Sequence, residues 1–399
     1  MTVAPLAGRQ ALQQPWIART GGLATADVEA FAYADWSFGV PTVADRIGSL
    51  HPYPARYVLD LPLQAIDLLR PTRGVIDPFC GSGTTLEAAG MRALPAVGVD
   101  LNPIACLLSR VRTSPWREGD REAAAQHLAR LEQYLSRRRA YPWVSAIPRV
   151  DHWFEPWAQD LLGAATEYLR SVPVDDAWHD RIALSISAAV VRLSRQESDT
   201  RYAAIDKHLT YEVGATVILR ALRNTITFLE SRGAHIAQVS VHHQDATEPL
   251  AIGGRRIDAA IFSPPYPNAY EYWLYHKYRM YWLGADPISV REAEIGARPH
   301  YFKSNPHTEV DFARQMTQVL ENLVDVLLPV SPIVIVVGDS LIHGKAIDNR
   351  TLLFDAASRL GIRPRAATVR PIRRARSSFN ATHGQGRDFE HVLLLETPS

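Results

Sequence analysis

Gly74-Val75-Ile76-Asp77-Pro78-Phe79-Cys80-Gly81-Ser82-Gly83-Thr84-Thr85, followed by Ala96-Val97-Gly98-Val99-Asp100, is the stretch that decides the fold. A short apolar run bounded by turn residues reads as a buried strand. Residues 78–83 then make a glycine-rich turn, Thr84 to Gly90 opens a helix, and residues 96–99 form the next strand, ended by Asp100. Gly81 and Gly83 let the backbone take positive φ and approach a ligand with no Cβ in the way. The helix beyond them offers unpaired N–H groups in its first turn. Asp100 lies 17 positions after Gly83, where an acid can accept hydrogen bonds from ribose hydroxyls. Strand, glycine loop, helix, strand, acid is the first half of a nucleotide-binding α/β domain. A Gly-x-Gly turn alone is also an ordinary strand-to-helix connection; Asp100 is what directs the reading toward a nucleoside ligand.

Outward from this unit, apolar spacing from Tyr57 to Leu69 predicts a helix stopped by Pro71. Residues 1–45 show no clear period and read as an irregular or loosely helical extension. Asn102 to about Gly233 reads as mostly helical, with segments 121–139, 156–171, 179–195 and 211–231. Strand patterns return at 236–241, followed by Asp245, and at 257–262, running straight into Ser263. A helix over 312–328 and strands at 333–337, 363–369 and 390–395 complete the pattern. The second and third strands lie 245 − 100 = 145 positions apart, whereas a crossover needs only about a dozen residues. The expected division is an extension (1–45), a first α/β part (46–104), a helical insertion (105–233) and a second α/β part (234–399).

The 399 residues are 47% apolar with a net charge of +1. A sizeable core is therefore available, and any basic surface must be local rather than global. No apolar stretch is long enough to span a bilayer, and Met1 to Gln14 lacks a charged-then-apolar signal pattern, so a cytoplasmic protein is expected. Cys80 and Cys106 are too few for a zinc site, no metal is expected, and no disulfide is expected in a reducing compartment.

Ser263-Pro264-Pro265-Tyr266 ends the predicted fourth strand, at the sheet edge where open α/β folds bind ligands. Consecutive prolines fix φ, remove two donors and leave carbonyls free to accept. Such a run suits methylation of a base amino group. The lone pair of that nitrogen is delocalised into the ring. Acceptors on its N–H groups favour a pyramidal nitrogen and stabilise the positive charge that develops. Ser263 Oγ and the Pro264 carbonyl are the candidate acceptors, and Tyr266 would stack on the base. No strong base is required. Methylation at a ring carbon would need a thiolate, and no cysteine lies in residues 263–266. The plainer reading of the run is a Pro-Pro turn; its place after an apolar strand favours the site.

Taken together, these residues resemble the DNA amino-methyltransferases. Residues 77–85 are similar to that family's methionine-binding motif, Asp100 to its ribose-binding acid, and Asp245 to the residue holding the cofactor's adenine amino group. Asp245 also reads as a turn-capping acid. His51-Pro52-Tyr53-Pro54-Ala55-Arg56-Tyr57 resembles the segment that closes over the methionine end, or else is a rigid proline-rich connector. The first residue of the catalytic motif is Asp, Asn or Ser in the family, and Ser is typical of its cytosine-N4 members. The resemblance implies a Rossmann-like class I methyltransferase fold, α/β with a mostly parallel seven-stranded sheet and a large helical insertion. It implies S-adenosylmethionine as cofactor, held by His51, Tyr53, Asp77, Phe79, Gly81, Gly83, Thr84, Asp100 and Asp245. It implies catalysis by Ser263, Pro264, Pro265 and Tyr266 on a DNA base flipped out of the duplex, with cognate restriction or defence proteins as partners. Adenine-N6 methylation of DNA and guanine-N2 methylation of tRNA stay open, as does a silent nucleic-acid-binding module.

Two regions are candidates for gripping the nucleic acid. Arg363 to Arg387 carries Arg363, Arg365, Arg370, Arg373, Arg374, Arg376 and Arg387 and no acid, as phosphate contact needs. The polar run from Ser194 to Tyr202, with Arg195 and Arg201, mixes donors and acceptors as base-edge reading needs. A solvated loop and a capped interhelical loop are the plainer readings. The insertion departs from the family by falling before the third strand. Tyr270 can line a base pocket, while the aromatic residues from Tyr272 to Trp282 read mainly as helix packing.

Overall fold

The computed structural model describes residues 14–18, 20–38, 50–54, 58–138, 141, 147–174, 176–233, 238–252, 257–268, 270–371 and 389–399. The strands in chain order are β1 (Trp16–Ile17), β2 (Val75–Asp77), β3 (Ala96–Asp100), β4 (Gln196–Ser198), β5 (Arg201–Ala204) and β6 (Val239–His243). They continue as β7 (Ala259–Phe262), β8 (Pro332–Val337), β9 (Ser340–Ile342), β10 (Lys345–Ile347), β11 (Arg363–Pro371) and β12 (Phe389–Glu396). Eight of them form one sheet in the order β1-β11-β12-β8-β7-β2-β3-β6. The run β8-β7-β2-β3-β6 is parallel throughout. Strand β12 is antiparallel to β8, β11 to β12, and β1 to β11. This is the Rossmann-like class I methyltransferase fold; all seven expected strands are present, and the two-residue β1 adds an eighth at the edge.

Two-residue alternation explains how the sheet is sandwiched. In β8, Ile333, Ile335 and Val337 join Phe262 and Leu393 under Phe312, Met316, Val319 and Leu323 of the helix Glu309–Val326. Val334 and Val336 face the other way, with Val75, Ala259 and Val392, under Val28 and Phe31 of the helix Thr25–Tyr33 and Leu86 and Ala89 of Thr84–Met91. Each such fully buried aliphatic or aromatic side chain contributes roughly 1.5–3 kcal/mol.

The N-terminal region is more regular than its sequence suggested. Helix Thr25–Tyr33 buries Val28, Phe31 and Ala32 on the sheet. The Glu396 carboxylate, wholly buried, accepts hydrogen bonds from the amides of Gly22 (2.7 and 2.9 Å) and Leu23 (2.6 Å). The ordering therefore comes from the far end of the chain, which a local period cannot reveal.

Between β3 and β6 the helices Asp120–Leu135, Pro156–Arg170, Ala177–Leu193 and Tyr211–Arg232 follow the four expected segments closely, and Pro103–Arg112 precedes them as a further helix. They have their own core, including Leu131, Phe154, Leu162, Tyr168, Ile186, Val190 and Leu222, and it also takes in Tyr278 and Trp282 from the later helix Tyr272–Trp282. The polar run after Leu193 is the β4–β5 hairpin rather than a loop. Residues 236–237 of the third expected strand lie outside the described residues. No helix among the described residues is long and apolar enough to cross a membrane.

Candidate active site

From β2 the chain winds outward through β3 and β6, then returns to the opposite side of β2 with β7 and β8. That reversal opens a crevice at the carboxyl ends of β2 and β7, the place where open α/β sheets take ligands. The glycine loop leaves β2 and residues 263–266 leave β7, so both predicted motifs border this one crevice.

Gly81 and Gly83 both have positive φ, 50° and 80°. A Cβ on Gly83 would lie 2.9 Å from Ser109 Oγ and 3.1 Å from its Cα. Asp77 shapes the loop from below: its oxygens accept from the Phe79 amide (2.9 Å) and the Thr85 hydroxyl (2.6 Å). Phe79 packs toward Phe262, ring centres 5.9 Å apart. Asp100 accepts from the amides of Gly81 and Asn102, both at 2.8 Å. Burial raises its pKa to about 6 against those two hydrogen bonds. Asp245, just past β6, caps a turn by accepting from the amide (2.9 Å) and hydroxyl (2.8 Å) of Thr247, both on Oδ1.

Aromatic side chains roof the loop. A Cβ on Gly81 would stand 3.2 Å from the Tyr53 hydroxyl, and Tyr53 stacks on Tyr272 at 6.0 Å. Tyr270 neighbours Tyr272, ring centres 6.0 Å apart, and is 44% exposed. His51 is buried, with Nδ1 2.7 Å from the Pro52 carbonyl and Nε2 2.9 Å from Ser187 Oγ of the helical unit. Burial, and then the Arg279 charge, hold its pKa well below the ordinary value. Both its ring nitrogens are thus engaged in seating the roof on helix Ala177–Leu193.

Three features of the site had no local sequence signature. Arg112, buried, donates to the Ser82 carbonyl (2.9 Å) and Thr84 Oγ1 (3.0 Å), and its Nε lies 2.5 Å from Glu87. Arg232, from the end of the helical unit, pairs with the other Glu87 oxygen at 2.5 Å. Glu294, buried, accepts from the amides of Tyr272 (2.9 Å) and Trp273 (2.7 Å), closing the start of the helix that carries the roof. Burial pushes its pKa up to about 8. Glu390 of β12 is the third. It accepts from the Tyr266 hydroxyl at 2.9 Å, while its other oxygen accepts from Arg370 at 3.1 Å.

In the run itself Ser263 is half-buried and Pro264 buried. Ser263 Oγ is 3.4 Å from the Tyr266 hydroxyl. Burial, and next the Glu390 charge, push the Tyr266 phenol well above its ordinary range. A Cβ on Gly338 would come 3.2 Å from the Tyr266 ring. Both cysteines are free and buried, and burial raises both thiols.

Only the first part of the basic C-terminal segment, through Pro371, lies within the described residues. Arg365 and Arg370 are buried on β11 and paired with Glu396 and Glu390, and Arg363 lies 3.5 Å from Glu396. Acids on the neighbouring strand neutralise them, although no acid is near in sequence. Arg373, Arg374, Arg376 and Arg387 lie outside the described residues. On the β4–β5 hairpin, Arg201 is exposed and pairs with Glu197 at 2.9 Å. Arg195 is half-buried, and its Nε has no hydrogen-bond partner among the described residues. The hairpin is docked by Asp199 pairing with buried Arg279 of helix Tyr272–Trp282. Asp339, Asp348 and His391 bring ligand-type atoms within 4.8 Å of one another, but Asp348 already caps the helix Asn349–Arg359 and pairs with Arg350.

No known protein-family profile matches the chain. It is similar to the type II methyltransferase M.MvaI of Kocuria varians, with 29% identity over 114 residues, 26% of this chain and 25% of that protein. The similarity thus spans about a quarter of that relative's length. Among solved structures, an S-adenosylmethionine-dependent methyltransferase from Methanosarcina mazei aligns with a TM-score of 0.33 and 10% identity over 88% of this chain and 99% of that one. The rRNA methyltransferase aviRa of Streptomyces viridochromogenes aligns with a TM-score of 0.30 and 12% identity, covering 87% and 89%. By its own strand order and directions, the chain has the Rossmann-like class I methyltransferase fold.

Proposed function

We propose that this chain transfers a methyl group from S-adenosylmethionine to an exocyclic amino group of a DNA base, N4 of cytosine. The observation that carries the reading is the facing of two motifs across one crevice: Gly81 to Gly83 with Asp100 on β2 and β3, and Ser263 to Tyr266 on β7. The residues fit the cofactor. Two glycines at positive φ shape the loop, and the one at position 81 brings its backbone close under Tyr53. Asp100 accepts one amide on each oxygen, and a carboxylate has about four lone-pair sites, so capacity for ribose hydroxyls remains. Asp245 has no hydrogen-bond partner on Oδ2 among the described residues, which suits the adenine amino group. Bound there, the cofactor supplies an electrophilic methyl on sulfonium.

The chain's own part is positioning and charge stabilisation. Ser263 Oγ and the Pro264 carbonyl accept the two amino protons of the base, draw the nitrogen toward a pyramidal shape and stabilise its growing positive charge. Tyr266 forms a wall for the base, with Tyr270 at the rim. The methylated aryl ammonium is acidic and releases its proton to water. The quarter-length similarity to a type II methyltransferase supports DNA as substrate, and the serine at position 263 supports cytosine.

Incubating the protein with methyl-labelled cofactor, mixed-sequence DNA and RNA, then separating nucleosides, tests this. Label in N4-methylcytosine is expected; label only in N6-methyladenine, or only in RNA, overturns it. Ser263→Ala should lower turnover on the order of a hundredfold while cofactor affinity stays within about threefold.

A further inference from the structure

A serine hydroxyl can donate or accept, and an acceptor role at position 263 requires its proton to point away from the base. We infer that Glu390, acting through Tyr266, fixes that direction and so makes Ser263 an acceptor. The inference rests on Ser263 holding the base amino group, as proposed above. It adds a positioning residue on a strand 124 residues further along the chain.

Four residues form a chain of donors and acceptors from Arg370 to Ser263. Arg370 has only donors, and it gives one to Glu390 Oε2 at 3.1 Å. The Glu390 carboxylate has only acceptors, so at 2.9 Å it takes the single proton of Tyr266. The Tyr266 oxygen then has lone pairs alone to offer Ser263, 3.4 Å away. The Ser263 proton turns toward Tyr266, and its lone pairs turn outward. At 3.4 Å this last contact is long for an O–H···O bond, so its contribution is direction more than energy. Gly338 makes room for the arrangement, since a Cβ there would come 3.2 Å from the Tyr266 ring.

Glu390→Gln inverts the chain. Arg370 can only donate, so the glutamine carbonyl turns to it and the NH2 group turns to Tyr266. The phenol proton then swings toward Ser263 and occupies the lone pairs the base needs. Shape and volume hardly change. Tyr266→Phe breaks the chain, leaving Ser263 unbiased whatever stands at position 390.

Two measurements on the full-length protein test this. Neutron diffraction of deuterium-exchanged crystals should place the Tyr266 deuterium toward Glu390 and the Ser263 deuterium toward Tyr266. A Tyr266 deuterium aimed at Ser263 overturns the inference, whether or not the protein proves to be a methyltransferase. Kinetics on unmethylated plasmid DNA, with folding checked by thermal melting, should show kcat roughly ten- to hundredfold lower for Glu390→Gln. The cofactor KM should change little, and the same substitution should alter kcat less than about twofold in the Tyr266→Phe background. An equal loss in both backgrounds would mean that Glu390 acts only as structural support. No methyl transfer by the unsubstituted protein to DNA or RNA would sink the functional reading, with the polarity still decided by the neutron map.

Discussion

At the residue scale, Asp100 holds the Gly81 amide in place, and in the proposed reading it also binds the cofactor ribose. Asp100→Ala should weaken cofactor binding about ten- to a hundredfold, by calorimetry, with a smaller effect on kcat at saturation. Its pKa, raised to about 6, also predicts a pH dependence. Hydroxyl donors favour the ionised carboxylate, so cofactor affinity should be full above that value and fall as pH drops through about 6; an affinity flat from pH 5 to 8 would contradict this. Asp77, Gly83, Asp100 and Ser263 were legible because each sits beside the strand end that places it. Arg112, Glu294 and Glu390 were not, because each acts on groups brought near only by folding: Glu294 caps a helix beginning 22 positions earlier, and Glu390 reaches Tyr266 across 124.

At the scale of elements, helix Tyr272–Trp282 links the crevice to the helical unit. Tyr272 stacks on Tyr53 at its start, Arg279 binds the β4–β5 hairpin, and Tyr278 and Trp282 enter the insertion's core. Its cap, Glu294, has a pKa raised to about 8, far above an unfolded glutamate near 4.3. Between those two values the folded state keeps a proton that the unfolded state has lost, so this group's contribution falls as pH rises through that window and levels off above about 8. Melting temperatures of the unsubstituted protein and Glu294→Gln should therefore separate in favour of glutamine from pH 5 to 8, by a few degrees, then run parallel. A constant gap would show that Glu294 does not titrate there. The helices were legible from their apolar period. The hairpin was missed because Gln196 to Ala204 is polar and mostly exposed or half-buried, which leaves no alternation to read.

For the whole molecule, the α/β domain and the helical unit are joined by charge as well as by apolar packing. Glu87 lies between Arg112 and Arg232 beneath the glycine loop. Removing the shared acid takes away the carboxylate that both cations bind, and breaking such a buried pair costs about 3–5 kcal/mol. Glu87→Ala should lower the melting temperature by several degrees and weaken cofactor binding together, since Arg112 also holds Ser82 and Thr84. A variant that melts normally would refute the joint. The tie between Glu396 and the amides of Gly22 and Leu23 bears on biogenesis. Those amides acquire their partner only after residue 396 has left the ribosome, 374 positions later. Helix Thr25–Tyr33, although synthesised early, packs on strands made much later, so nascent chains that stop short of residue 396 should expose Val28 and Phe31 to chaperones.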